Sequence, residues 1–81
     1  NSLKIYPNPF SNQTTIQWQK EDLAQRLVLR NLDGKEVRSY AVKGKNEIII
    51  NRKNLASGEY LLELLDNGKR IKVAKIMILS N

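Results

Sequence analysis

The 81-residue chain contains neither cysteine nor histidine. The absence of thiols excludes a disulfide framework and a cysteine nucleophile, and the absence of imidazoles excludes histidine acid–base catalysis and the usual zinc sites. Packing alone must hold the fold together. A chain this short buries only roughly 60% of its unfolded surface, so we expect one modest core and a single domain over residues 1–81.

Aromatic residues are few, and the charge is predominantly positive. Lysine and arginine number 14 against 8 acidic residues, and the net charge of +6 favours anionic partners. Readers of single-stranded nucleic acid interleave aromatic side chains with a basic groove, whereas the aromatic residues of this chain are scattered. We therefore expect no nucleic-acid partner. The aromatic residues are Tyr6, Phe10, Trp18, Tyr40 and Tyr60.

Long hydrophobic runs are also missing. The longest one, Ile76 to Leu79, is far shorter than the ~20 residues that cross a bilayer, so we expect no transmembrane segment. The sequence has no signal-peptide pattern and starts at Asn1 instead of methionine. We interpret it as the end of a longer secreted protein whose signal peptide lies upstream.

The acidic residues provide no candidate catalytic or metal site. A paired-carboxylate site or a calcium site needs several oxygens that converge from one loop, and no loop of this sequence offers more than two carboxylates. No nucleophile has a candidate base, and no glycine-rich loop precedes a helix to hold phosphate. We expect no enzymatic activity, no metal and no cofactor.

Apolar residues recur at every second position, which indicates half-buried strands. Turn-forming residues separate these segments at intervals of roughly ten residues. About seven short strands with this spacing predict an all-β, antiparallel β-sandwich. The alternating pairs are Leu3 and Ile5, Ile16 and Trp18, Leu27 and Leu29, Ile48 and Ile50, Leu62 and Leu64, and Ile71 and Val73.

Residues 21–30 contain good helix formers and are the segment in which a helix competes with a strand. Their apolar members Leu27, Val28 and Leu29 are contiguous and form no stripe with a helical period. We predict a loop over residues 19–25 and a strand over residues 26–31.

Two hairpin registers follow from placing apolar residues on one face of the sheet. A two-residue type I′ turn at Asn67-Gly68 keeps the apolar residues of both strands together, whereas a three-residue loop would oppose Leu64 to Arg70. The predicted pairs are Leu64–Ile71, Glu63–Lys72 and Leu62–Val73.

The other hairpin is predicted to have a three-residue loop within residues 31–35, in which a type I turn is followed by Gly34 at positive φ and by a bulge. This loop sets Leu29 opposite Val37. A two-residue loop would set Leu29 opposite Arg38 instead.

The last strand does not keep one face inward throughout. Ile71 and Val73 are predicted to point inward, and the same alternation turns Ile76 and Ile78 to the opposite face. Either a bulge near Ala74-Lys75 returns both isoleucines to the core, or they form an exposed hydrophobic edge that a partner captures by strand addition.

Two motifs and one cluster are interpreted first as structural. Tyr6-Pro7-Asn8-Pro9-Phe10 ends the first strand, because proline donates no ladder hydrogen bond, and forms a stiff kink that switches the chain between sheets or an exposed recognition segment. Residues 55–60 are typical of a tyrosine corner, in which a tyrosine hydroxyl bonds to upstream backbone. The basic cluster is interpreted as solvated charge, with contact to an anionic surface as the alternative. It comprises Lys69, Arg70, Lys72 and Lys75.

Together these features resemble the type A C-terminal sorting domain of the type IX secretion system found in Bacteroidetes. The resemblance spans the whole chain. It rests on an opening strand that runs into Tyr6-Pro7-Asn8-Pro9, a middle strand that runs into residues 33–37, the corner at residues 55–60, and a lysine-bearing final strand.

The resemblance implies an immunoglobulin-like antiparallel β-sandwich that acts as a non-catalytic secretion signal. In that family the domain takes a covalently linked upstream passenger from the periplasm through the outer-membrane translocon, and a sortase-like surface protease usually removes the domain afterwards. The passenger is then released or attached at the cell surface to an anionic lipopolysaccharide. Carried over by position, the recognition residues are Pro7, Asn8, Pro9, Gly58, Tyr60, Lys72 and Lys75, and the final strand adds Ile76 and Ile78.

The alternative is a generic immunoglobulin-like adhesion or carbohydrate-binding module. Such a module would present an exposed aromatic platform, which only Tyr6, Phe10 and Tyr40 could supply.

Overall fold

The computed structural model describes residues 3–80, which form seven β-strands and, within that range, no helix. None of these residues therefore belongs to a helix that could cross a membrane. The predicted all-β sandwich of about seven strands is confirmed. The strands are β1 (Lys4–Tyr6), β2 (Gln13–Gln17), β3 (Arg26–Arg30), β4 (Glu36–Ala41), β5 (Glu47–Asn51), β6 (Gly58–Asp66) and β7 (Lys69–Ile78).

Two antiparallel sheets face each other across one core. The three-stranded sheet has the order β1-β2-β5, and the four-stranded sheet has the order β4-β3-β6-β7. Alternate residues of the strands point between the sheets, where they are removed from water. The predicted loop over residues 19–25, followed by a strand, is confirmed. The core includes Phe10, Ile16, Trp18, Leu27, Leu29, Ile50, Leu62, Leu64, Ile76 and Ile78.

The β6–β7 hairpin keeps its predicted turn but has a different register. Residues 67 and 68 form the two-residue turn, with φ of 53° and 77°. Beyond the turn, Leu64 pairs with Lys72, which leaves Ile71 as the extra residue of a bulge. Ile71 and Val73 are 37% and 43% exposed, so their predicted inward placement is wrong. The shift also makes wrong the predicted pairs Leu64–Ile71, Glu63–Lys72 and Leu62–Val73.

This bulge determines which side chains of β7 point into the core. Because it shifts the alternation by one residue, Ile76 and Ile78 point inward and are only 2% and 1% exposed. Burial of each isoleucine stabilises the fold by about 1.5–3 kcal/mol. Of the two alternatives for this strand, the bulge is correct, although it lies at Ile71 and not near Ala74-Lys75. The exposed edge of Ile76 and Ile78 is wrong.

The β3–β4 hairpin shows the same combination of a correct turn and a shifted register. Gly34 has a φ of 84°, and the first and last residues of the loop over residues 31–35 share a backbone hydrogen bond of 2.9 Å. A bulge at Val37 then sets Leu29 opposite Arg38, so the predicted pair Leu29–Val37 is wrong. Because both residues of a bulge oppose one partner, Val37 still packs against the core.

The sandwich has two ends, separated along its longest dimension of 36 Å. The described chain begins with Leu3 at one end, beside the loops of residues 19–25, 42–46 and 66–68, and we refer to this as the N-terminal end. Residues 7–10 and the C-terminal part of β7 lie at the opposite, distal end.

A tyrosine corner is present at the start of β6. Tyr60 is 7% exposed, and its hydroxyl donates to Ala56 O at 2.6 Å. The bond spans four residues, from the strand back to the loop that precedes it. The predicted hydrogen bond to upstream backbone is confirmed.

Tyr60→Phe removes this hydrogen bond and keeps the ring, so we expect the free energy of unfolding to fall by about 1 kcal/mol. Tyr6→Phe is the matched control, because Tyr6 is 46% exposed and its hydroxyl has no hydrogen-bond partner among residues 3–80. Denaturant melts of both variants measure the difference. Equal stabilities would contradict a stabilising role for the corner.

Candidate functional site

The last strand lies at an edge of the four-stranded sheet, and residues 7–10 cover part of that edge. Phe10 N–H donates to Met77 O at 3.1 Å, and Leu79 N–H donates to Phe10 O at 2.8 Å. These bonds form a parallel bridge between Phe10 and Ile78. Because β1 belongs to the other sheet, the predicted kink that switches the chain between sheets is confirmed.

Asn8 extends this cover along β7 through its side chain. Its Nδ2 donates to Lys75 O at 3.3 Å, and its Oδ1 accepts from Met77 N–H at 3.0 Å. A carboxamide carries both donors and an acceptor, so it replaces the peptide group of a neighbouring strand. We refer to Asn8 and Phe10, together with residues 75–79 of the edge that they bind, as the edge clasp.

The prolines on either side of Asn8 are exposed, and the peptide bonds that precede them are cis. Proline has no N–H, so neither residue can donate to the edge, and the Asn8 side chain supplies the donor. Pro7 is held from the other side, because Thr14 Oγ1 donates to Pro7 O at 2.6 Å and Thr14 is buried. The segment is thus bonded to both β2 and β7.

Arg52 binds Leu79, the last residue of the edge clasp. Its Nη1 donates to Leu79 O at 2.7 Å and to Ser11 O at 3.4 Å, and its Nε donates to Leu55 O at 3.0 Å. These bonds connect the end of the last strand to the turn before β2 and to the loop before the tyrosine corner. Arg52 was not predicted as a site residue, because two of these partners are 27 and 41 residues away and no local motif marks it.

Four of the predicted recognition residues lie at the surface of the distal end. Pro7, Asn8, Pro9 and Lys75 are exposed. Three of them, Asn8, Pro9 and Lys75, line one shallow depression of about 200 Å³ beside the edge clasp, together with Glu59. We refer to these four recognition residues as the surface group.

Four other predicted recognition residues lie beneath this surface. Gly58 pairs with Ile78, and Tyr60 pairs with Ile76, across the β6–β7 ladder. The three large side chains of this set belong to the core. These residues position the strand that carries Lys75, and we refer to them as the supporting group.

Lys72 is separate from both groups and lies at the N-terminal end. The bulge turns it inward, its side chain is 14% exposed, and its Nζ lies 3.5 Å from Asp22 Oδ2. Because Lys75 is exposed near the distal end, the lysines of the last strand do not form one basic patch.

Glu63 is a buried carboxylate on the outward face of the four-stranded sheet. Arg30 Nε donates to its Oε1 at 2.8 Å, and Arg70 Nη1 donates to its Oε2 at 3.3 Å. The hydrogen bond with Glu63 raises the pKa of the Arg30 guanidinium. The arrangement satisfies one carboxylate and offers no acid–base pair. Among residues 3–80, no three acidic side chains converge on a possible metal site.

The aromatic platform of a carbohydrate-binding module does not form. Phe10 is 2% exposed and lies in the core. Tyr40 packs against the core, and burial raises the pKa of its hydroxyl. Tyr6 is the one member of the three that is exposed, at 46%. One exposed ring provides no platform, which disfavours this alternative.

Comparison with protein families identifies the family of this chain. The family model for a secretion system C-terminal sorting domain matches residues 4–79. The chain belongs to this family. The sorting domain is accordingly a type IX C-terminal secretion signal, which implies interaction with the type IX machinery and export to the cell surface or the extracellular space. Domains of this family are generally non-catalytic. No curated protein matches the sequence.

The edge clasp of the sorting domain predicts a pattern of amide hydrogen exchange. Met77 N–H is bonded to Asn8, whereas Val73 N–H points to the same edge outside the clasp. We expect Asn8→Ala to speed exchange at Met77 by roughly fivefold, as for the loss of one hydrogen bond of about 1 kcal/mol. Ile76, whose N–H faces β6, should be unaffected.

Amide exchange measured by NMR on the wild type and on Asn8→Ala tests this prediction. In the wild type, Met77 should exchange more slowly than Val73. Unchanged protection of Met77 in the variant would contradict the contribution of the Asn8 side chain.

Proposed function

We propose that the sorting domain is a non-catalytic signal that directs a covalently linked upstream passenger across the outer membrane through the type IX translocon. The observation that carries the proposal is the edge clasp, in which Asn8 and Phe10 bond to the edge of the last strand. Two segments at opposite ends of the sequence thus form one exposed surface. A receptor that binds this surface recognises the folded domain, because the unfolded chain does not bring the two segments together.

The position of the clasp supports recognition by a translocon component. An upstream passenger connects near Leu3, at the N-terminal end, whereas the clasp lies at the distal end of a molecule 36 Å long. A receptor can therefore approach the clasp without meeting the passenger. We infer that the surface group, Pro7, Asn8, Pro9 and Lys75, contacts the receptor.

The remaining recognition residues act through the position of the last strand. Gly58, Tyr60, Ile76 and Ile78 hold β7 against β6, so their loss would displace the clasp together with the core. Lys72 acts through its ion pair at the N-terminal end. These five residues support the signal without touching the receptor.

The uncovered part of the edge suggests how the receptor binds. Asn8 and Phe10 bind residues 75–79 of the edge, and no described strand pairs with residues 71–74 on that side of β7. An unpaired strand edge is a template for strand addition. A receptor strand that pairs with Val73, next to the clasp, would lie beside the surface group and leave the bonds of Asn8 to the edge in place.

The later steps of export are inferred from the family. The domain passes through the periplasm, and a sortase-like surface protease removes it after export. The passenger is then released or attached at the cell surface. A reporter that is shorter at the surface than in the periplasm, by the mass of this domain, would support removal.

Export of a reporter tests the proposal. Fused to the C-terminus of a signal-peptide-bearing reporter, the domain should deliver it to the surface or medium of a type IX-secreting bacterium. It should not do so in a strain without the translocon. We expect Asn8→Ala to reduce export by roughly fivefold or more, while a stability loss of about 1 kcal/mol lowers the melting temperature by no more than about 8 °C. Asn54→Ala is the control, because Asn54 is exposed.

A second pair of variants tests whether the effect of a charge change on export depends on its position. Lys75→Glu and Lys69→Glu make the same charge change at exposed positions of β7, one near the clasp and one at the N-terminal end. Only Lys75→Glu should reduce export. Equal losses in the two variants, or export that does not need the translocon, would overturn the proposal.

A further inference from the structure

A second site candidate lies at the N-terminal end, opposite the edge clasp. The loops of residues 19–25, 42–46 and 66–68 surround an open cleft of about 710 Å³. This volume is within the range of roughly 300–1,000 Å³ that is typical of ligand sites. Lys20, Lys43 and Lys45 line it, and we refer to it as the lysine cleft.

The charges of the lysine cleft favour an anionic ligand. Within residues 3–80, none of its three ammonium groups has a hydrogen-bond or ion-pair partner. Of the two carboxylates in the lining, Asp22 is paired with Lys72, which leaves Asp66. Three unpaired cations around a concave surface attract negative charge, because a cleft concentrates their field.

The uncharged part of the lining distinguishes between anionic ligands. Leu23 is 75% exposed at the cleft, so an apolar contact surface is available. Asn67 supplies a carboxamide, whose donors and acceptor match a peptide backbone. Asn46 supplies a second one, although its Nδ2 also donates to Trp18 O at 3.4 Å. Among the described residues around the cleft, none is aromatic, so a sugar ring would find no face on which to stack.

We propose that the lysine cleft binds an extended acidic peptide segment of a partner protein. The carboxylates of the peptide pair with Lys20, Lys43 and Lys45, and an aliphatic side chain of the peptide packs on Leu23. The site is separate from the edge clasp and from recognition by the translocon, so it neither needs nor supports that function.

Titration of the ¹⁵N-labelled 81-residue chain with two synthetic peptides tests the proposal. The first peptide has the sequence Glu-Leu-Glu-Glu-Leu-Glu with blocked termini, and the second has lysine in place of each glutamate. The acidic peptide should cause saturable shifts in the amide signals of residues 20–25 and 43–46. The basic peptide should cause none. Shifts spread over lysines on all sides of the domain would overturn the proposal.

Charge reversal tests the position of the site. The double variant Lys43→Glu/Lys45→Glu should weaken binding of the acidic peptide by roughly tenfold or more. The double variant Lys35→Glu/Lys53→Glu makes the same change in net charge outside the cleft and should weaken it less than threefold. Similar losses in both would show non-specific attraction and contradict the proposal. The amide spectrum of each variant reports whether it is folded.

Leu23→Ser tests the apolar contact. It should weaken binding of the leucine-containing peptide and leave binding of an all-glutamate peptide unchanged. Leu32→Ser is the matched control, because Leu32 is 76% exposed and does not line the cleft. An unchanged affinity in Leu23→Ser, or tighter binding of polygalacturonate than of the acidic peptide at this cleft, would overturn the assignment to a peptide.

Discussion

The pairing of β6 with β7 is the interaction on which the rest of the structure depends. These are the two longest strands, and they place Leu62, Leu64, Ile76 and Ile78 in the core. Burial of each side chain contributes about 1.5–3 kcal/mol, a large share of the net stability of a small domain that has no disulfide. The tyrosine corner closes one end of β6, and the edge clasp is built on β7. Both the fold and the candidate site therefore rest on this hairpin.

The bulge at Ile71 reconciles two requirements on that hairpin. The turn at Asn67-Gly68 sets the register at the tip, and a one-residue slip would turn every side chain of a strand to the other face. The extra residue lets the turn keep its geometry while Ile76 joins the core. It also turns Lys72 inward to Asp22, which separates this lysine from the solvated charge on the same strand.

Features that depend on neighbouring residues were predictable from the sequence, and features that depend on distant residues were not. The positive φ of Gly34 and the corner at Tyr60 follow from local motifs, and both are confirmed. The positions of the two bulges could not be predicted, because alternation on either side of an extra residue looks regular. Resemblance to a family pointed to Pro7-Asn8-Pro9, but the bond from Met77 N–H to Asn8 spans 69 residues. Periodicity indicates the face of a residue only where no bulge interrupts the strand, and it does not indicate which strand the residue pairs with.

The edge clasp gives the sorting domain a surface that exists only in the folded state and that lies at the end opposite Leu3. Site-specific photo-cross-linking during export tests this account most directly. A photoreactive residue in place of Lys75, near the distal end, should cross-link to an outer-membrane component of the type IX machinery. The same residue in place of Lys69, at the N-terminal end of the same strand, should not. Cross-links of equal yield from both positions, or from position 69 alone, would contradict recognition at the clasp.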